Sequence, residues 1–252
     1  MGLLKQIRSA IYIRKVCKAF NNYKPNIMEA ILLIQFPTRE RPDKFLLVAK
    51  KYIDLLHDKE NWIMNVSCDE DDFTMNNPKM IKKVYELAPE GHIYLNFNDN
   101  KSKIQAVNAD VDSFSWNILL LASDDMIPKE PNYDKTIRDL YKRFYPNYDG
   151  VLHFNDGYQK ANLNTLCIIG YTYYCRFGYI YHPSYLSLYA DDEFDLVSKH
   201  LGKKMYFDQV IIKHEHPNLG YGENDQLYLK NGKLDAIDRK NFRDRKSINF
   251  GL

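Results

Sequence analysis

An α/β fold with a mostly parallel central sheet flanked by helices, Rossmann-like in layout, is what this sequence of 252 residues predicts. Three observations point there. Short, continuous apolar runs alternate along the chain with segments whose apolar residues recur at helical spacing, the pattern of parallel βαβ units. Apolar residues make up 45% and charged residues 27%, the balance of an ordinary folded domain. Polar and acidic residues gather at the ends of the apolar runs, where open sheets of this kind bind ligands.

Each element follows in order. Residues 3–20 set Leu3, Leu4, Ile7, Ile11 and Phe20 among basic residues, and Pro25 ends the segment. This is an amphipathic basic helix that either packs on the domain or makes peripheral contact with a membrane. Gly2 carries no myristoylation signal, because Gln6 stands where Ser or Thr is needed. Ala30 to Phe36 is apolar throughout, as a strand buried on both faces requires. A loop from Pro37 to Pro42 leads to a helix carrying Phe45, Val48, Ala49, Tyr52 and Leu56. Trp62 to Ser67 is a second strand. Met80, Ile81, Val84, Tyr85 and Ala88 line a second helix, with Pro78 near its start. His92 to Phe97 is a third strand, Lys103 to Ala109 a short helix, and Asn117 to Ala122 a fourth strand. Beyond it the rhythm weakens. Tyr133, Ile137, Leu140, Tyr141 and Phe144 mark a helix. Gly150–Phe154 and Thr165–Ile169 are strands, Asp191–Leu201 is a helix, and a further strand lies within Met205–His216. The tail from Gly222 is charged, helical and basic towards its end. The chain divides into an N-terminal amphipathic helix (1–28), an α/β domain (29–217) and a helical basic C-terminal extension (218–252).

Bulk properties narrow the function. A formal charge of +2 does not demand a polyanionic partner. Cys17, Cys68, Cys167 and Cys175 form no CxxC pair and read as free thiols of a reducing compartment. No apolar run is long enough to span a membrane. Lys5, Arg8, Arg14 and Lys15 interrupt what would be the apolar centre of a secretory leader. A cytoplasmic location is expected. GxGxxG and GxxxxGK[ST] are absent, which argues against a dinucleotide enzyme or a P-loop NTPase.

Four strand ends concentrate the chemistry. Ser123-Asp124-Asp125 closes the fourth strand. Paired carboxylates there are costly unless solvated, used as a helix cap, or bound to a cation such as Mg²⁺ or Mn²⁺. His214-Glu215-His216 places two imidazoles on one strand face, either surface groups or a contribution to that metal site. Asp191-Asp192-Glu193 opens a helix. Acids are favoured there by the helix dipole, but three in a row exceed what capping requires, and one suits a general base. Asp69 ends the second strand and can accept from a base or ribose. Arg39, Arg41, Lys101 and Lys103 stand near the strand ends and can hold phosphate.

In this order the elements resemble the nucleotide-sugar glycosyltransferases of the GT-A superfamily, of the family 2-like group, over roughly Ile31 to Pro217. The resemblance rests on Pro37-Thr38-Arg39-Glu40-Arg41-Pro42, Asp69, Lys103-Ile104-Gln105-Ala106-Val107-Asn108, Ser123-Asp124-Asp125-Met126-Ile127-Pro128, Asp191-Asp192-Glu193-Phe194 and the late His214 and His216. It implies that Pro37, Thr38, Arg39, Arg41 and Asp69 cradle the nucleoside and phosphates, with Lys103 and Asn108 beside the nucleotide. It places Asp124 next to the sugar and Asp125 on a Mn²⁺ or Mg²⁺ ion, with His214 or His216 as a further metal contact. Asp192, or its neighbours Asp191 and Glu193, becomes the base. Ser123 stands where the family's DxD motif has an acid, so Asp125 alone carries the metal within that motif. The implied reaction is hexosyl or pentosyl transfer, with inversion, from a nucleotide-diphosphate sugar (a UDP-sugar first) to a glycan or glycolipid. A modified DNA base as acceptor, a non-catalytic nucleotide-binding domain and a nucleotidyltransferase are the alternatives.

Overall fold

The computed structural model describes residues 30–215 and 234–252. The expected N-terminal helix, His216 and the first part of the C-terminal extension lie outside them. Seven strands form the main sheet in the order β3-β2-β1-β4-β7-β6-β8. They are β1 (Leu32–Pro37), β2 (Trp62–Asp69), β3 (Ile93–Asn98), β4 (Ile118–Leu121), β6 (Val151–Phe154), β7 (Ile168–Gly170) and β8 (Lys204–Phe207). The first four pair in parallel, and β6 pairs in parallel with β8. Only β7 runs against its neighbours β4 and β6. A mostly parallel sheet is what the sequence predicts.

Both faces of the sheet are covered. Along β1, Leu32, Ile34 and Phe36 enter one core while Leu33 enters the other, and all four are fully buried. That is why the strand reads as unbroken apolar sequence. On the first face lie α1 (Pro42–Asp54), α2 (Pro78–Tyr85) and α4 (Tyr133–Phe144). Phe36 meets Phe45 and Tyr52 of α1 edge to face, at centroid separations of 4.9 and 6.1 Å. On the second face lie α3 (Lys103–Asn108), α5 (Tyr171–Tyr174) and α6 (Ala190–His200), through Ile104, Val107, Tyr173, Ala190 and Phe194. Local signals start the helices. Asn77 accepts from Met80 N–H at 2.9 Å ahead of Pro78, and Ser102 accepts from Gln105 N–H at 3.2 Å.

The expected single strand within Met205–His216 is two. β8 joins β6 in the main sheet, whereas β9 (Ile212–His214) pairs antiparallel with β5 (Met126–Pro128) in a separate two-stranded sheet. The exposed link Asp208–Val210 allows the change of sheet. Tyr52 fixes β5 by donating its hydroxyl to Met126 O at 2.9 Å. Among the cysteines, Cys68 and Cys167 are free and buried, as expected, but Cys175 is disulfide-bonded, which corrects the free-thiol reading there. No helix among the described residues is long and apolar enough to cross a membrane.

A buried amide chain ties α3 to the sheet. Gln35 Nε2 donates to Val107 O and Ala109 O, both at 3.1 Å, and its Oε1 accepts from Asn65 Nδ2 at 2.7 Å. Asn65 Oδ1 in turn accepts from Asn96 at 2.8 Å. Residues of β1 and β2 thus satisfy the carbonyls at the end of the helix that begins with Lys103, and Asn96 of β3 anchors Asn65. Gln35→Leu strands those carbonyls, and at roughly 1–3 kcal/mol for an orphaned buried group the variant is expected to unfold at lower urea concentration with an unchanged m-value.

Candidate active site

Beyond the carboxyl ends of the parallel strands, Arg39, Asp69 and Asn100 are joined by hydrogen bonds and Arg41 reaches Asp124, while β5 follows β4 and pairs with β9. Asp125 lies just beyond β4 and immediately before β5. The register Met126↔His214 therefore carries His214 to its side, and Glu215 N–H donates to Asp125 O at 2.8 Å. His214 Nε2 stands 3.7 Å from Asp125 Oδ2, and the Ser123 hydroxyl donates to Asp125 Oδ1. Burial opposes ionisation of Asp125, but His214, the Ser123 hydroxyl and the charge of Lys103 hold its carboxyl well below the usual carboxylate range. Burial likewise opposes charging of His214, yet Asp125 and Asp156 push its pKa up to about 9. Ser123, the departure from an acidic motif, holds the acid that remains.

Lys103 and Asp191 act on this pair electrostatically. Burial raises the Asp191 carboxyl, and the charges of Lys103 and His214 pull it the other way. Lys103 thus acts on both Asp125 and Asp191. Its ammonium is exposed and makes no ion pair among the described residues. Asp192 N–H donates to Asp191 Oδ1 at 3.1 Å. Burial, then the charges of Asp191 and Asp195, push Asp192 up to about 6.

The β1 and β2 ends form a charged rim. Pro37 ends β1, and Thr38 N–H donates to Ser67 O at 2.9 Å. The buried hydroxyls of Thr38 and Ser67 have no hydrogen-bond partner among the described residues. Arg39 forks onto Asp69 at 2.6 Å and onto both oxygens of Asp71 at 2.6 and 3.1 Å. Asn100 donates to the other oxygen of Asp69 at 2.9 Å. Arg41 reaches Asp124 at 3.0 Å and Lys44 does so at 3.5 Å. Burial raises the Asp124 carboxyl against both cations.

Two of the expected site residues are occupied elsewhere. Asn108 donates to Tyr181 O at 2.7 Å and accepts from Ile180 and Tyr181 N–H at 2.8 and 3.2 Å, so its amide clips a loop to α3. Glu193 accepts from Tyr185 OH at 2.8 Å and from Arg245 through two contacts of 2.6 Å, which turns it towards α7 (Asp235–Ser247). The structure sets Asp125 beside His214 and puts Lys103 and Asp191 within electrostatic reach of them, with Asp192 next to Asp191; Glu193 is not among them.

No protein-family model and no curated protein matches the sequence. Solved structures do share the fold. A mannosyltransferase of Pyrobaculum calidifontis, determined with GDP-Man and Mn²⁺, superposes with a TM-score of 0.62 at 11% identity, over 85% of this chain and 67% of that one. TarS of S. aureus superposes with a TM-score of 0.55 at 10% identity, over 73% of this chain and 36% of that one. The chain has a glycosyltransferase fold of the GT-A type.

Within this glycosyltransferase fold, α7 has a role that its basic composition hides. Asp238 is fully buried and accepts from the N–H groups of Leu186, Ser187 and Leu188 at 2.8–2.9 Å. With the Arg245–Glu193 pair it braces the loop that leads into Asp191 and Asp192. Arg245→Gln weakens that brace. At roughly 1.5–3 kcal/mol for a lost charged hydrogen bond and about 1.4 kcal/mol per decade, tryptic cleavage at Arg239 and Arg243 is expected to speed up about tenfold or more. Asp156, the other residue the sequence reading passes over, sits in the Asn155-Asp156-Gly157 turn after β6. The Asp-Gly pair marks a turn in sequence but gives no hint of a neighbouring histidine.

Proposed function

We propose that the protein is a metal-dependent glycosyltransferase. It moves a hexosyl or pentosyl group from a nucleotide-diphosphate donor to an acceptor hydroxyl of a glycan or glycolipid, with inversion. One observation carries this reading: Asp125 and His214, brought side by side by the β5–β9 register, stand 3.7 Å apart beyond β4, with Lys103 and Asp191 within electrostatic reach. The fold supports it.

A hard carboxylate and an imidazole suit Mn²⁺ or Mg²⁺. Among the described residues no three His, Cys, Asp or Glu side chains form a complete cage. The donor set fits an ion that is shared with a diphosphate, held by Asp125 and His214. When bound, the metal neutralises charge on the departing nucleoside diphosphate.

The chain's own residues do the rest. Lys103 adds a cation beside the diphosphate. Arg39 and Asp69 flank the nucleoside, and a ribose or base contact at Asp69 shares oxygens with Arg39 and Asn100. Asp124, pinned by Arg41, borders the sugar. Asp192, with Asp191 as its neighbour, takes the proton from the acceptor hydroxyl as that oxygen attacks the anomeric carbon. Attack from the face opposite the departing diphosphate inverts the centre.

The test is a thermal-shift screen of UDP, GDP and the other nucleoside diphosphates, with and without Mn²⁺. A ligand present at about 100 times its Kd adds roughly 2.7 kcal/mol of apparent stability, so one Mn²⁺-dependent hit names the donor base, with UDP the first candidate. No stabilisation by any nucleotide with Mn²⁺ ends the proposal.

A further inference from the structure

We propose that Asp156 is a positioning residue: it holds the His214 ring so that Nε2, and not Nδ1, meets the metal. The proposal rests on the metal reading above and adds a residue to it. Asp156 is 1% exposed, and its carboxylate is spent in a particular way. Oδ1 accepts from the N–H groups of Tyr158, Gln159 and Lys160 at 2.8, 2.7 and 3.1 Å. Oδ2 accepts from the Thr165 hydroxyl at 2.6 Å and lies 3.4 Å from His214 Nδ1. The Asp156 carbonyl also accepts from His214 N–H at 2.7 Å, tying the two backbones together. Tyr158 packs edge-on against the imidazole, with centroids 5.7 Å apart at 84°.

The two ring nitrogens therefore face different carboxylates. Nδ1 faces a buried oxygen whose other contacts fix it in place. Nε2 faces Asp125, whose side chain is 26% exposed. An imidazole that gives its Nδ1 proton to a carboxylate keeps the Nε2 lone pair for a metal, and such outer partners govern ring orientation and ligand basicity. Oδ1 alone knits the turn, whereas Oδ2 reaches beyond it, to the Thr165 hydroxyl and towards His214 Nδ1.

Asp156→Asn separates the two roles. The amide oxygen can keep the three backbone donors while an NH₂ group replaces the oxygen that faces Nδ1. Mn²⁺ alone is titrated into the full chain and followed by its free-ion electron paramagnetic resonance signal. Coupling from imidazole ¹⁴N is read by electron spin-echo modulation. Wild type is expected to show one coupled imidazole, and Asp156→Asn to bind Mn²⁺ about 10- to 100-fold more weakly with that coupling reduced. A purely structural Asp156 would lower thermal stability and leave the coupling intact, which overturns the proposal.

His214→Ala supplies the control. If wild type binds no Mn²⁺, or if His214→Ala keeps the coupling, the metal reading itself fails. If His214→Ala loses the coupling while Asp156→Asn matches wild type, only the positioning role fails. Should Asp156→Asn not fold, long-range ¹H–¹⁵N correlation on wild type with Mg²⁺ and UDP or GDP decides: protonated Nδ1 with metal-bound Nε2 is expected, and the reverse overturns the proposal.

Discussion

Asp125→Ala is expected to cut sugar transfer by at least about a thousandfold while leaving the protein folded. The carboxylate is partly exposed, so its removal opens no core cavity, and His214 retains Asp156. What disappears is the one anionic ligand of the metal that the strand-end turn offers. A Lewis acid at a departing diphosphate stabilises the transition state by several kcal/mol, and about 1.36 kcal/mol corresponds to tenfold in rate. Ser123 cannot substitute, because a neutral hydroxyl binds a hard divalent cation weakly. Product formation with Mn²⁺ and the Mn²⁺-dependent thermal shift with nucleoside diphosphate should vanish together. Metal-stimulated turnover equal to that of wild type would remove Asp125 from the mechanism. Negligible turnover in both proteins, with nucleotide binding retained, would mark a binding domain that does not catalyse.

The sheet is legible in the sequence because burial on both faces leaves a direct trace. Leu32 to Phe36 has no polar residue but Gln35, and that exception is the residue whose amide secures α3. The pairing that builds the site leaves almost none. β5 is three residues long, shorter than any periodicity can register, and its central residue Ile127 pairs with Lys213, far along the chain in β9. Residue type and the family resemblance name Asp125 and a late histidine together, but only the β5–β9 register shows that His214 is the one beside it. Glu193 shows the opposite failing. In sequence it is the third acid of a run, equivalent to its neighbours. A helix turns successive residues by about 100°, so it projects onto α7 and Arg245 while Asp191 remains within reach of Lys103. The docking of the tail is equally hidden in its composition: Asp238 holds the loop before α6, and Arg245 pairs with Glu193.

The base assignment has its own signature in pH. Asp192 is raised to about 6 by burial and by the nearby charges of Asp191 and Asp195. A general base works in its ionised form, which for a carboxyl raised to that value is present above pH 6 and lost as pH falls through it. The kcat/KM of wild type is therefore expected to be level near neutrality and to fall about tenfold per unit on the acid side, with a midpoint near 6. A carboxylate so placed is mostly ionised at pH 7 yet a stronger base than a solvated aspartate, the compromise that general-base catalysis favours. Asp192→Asn keeps the shape of the α6 start and removes the base, so kcat is expected to drop by about 100- to 10,000-fold and the acid limb near 6 to disappear. Donor affinity should change little, because Asp191 and not Asp192 senses Lys103 and His214. Asp191 is raised by burial as well, which makes the paired variant decisive. If Asp191→Asn abolishes turnover and the acid limb while Asp192→Asn keeps both, the proton goes to Asp191 and the lines of force from Lys103 mark the base.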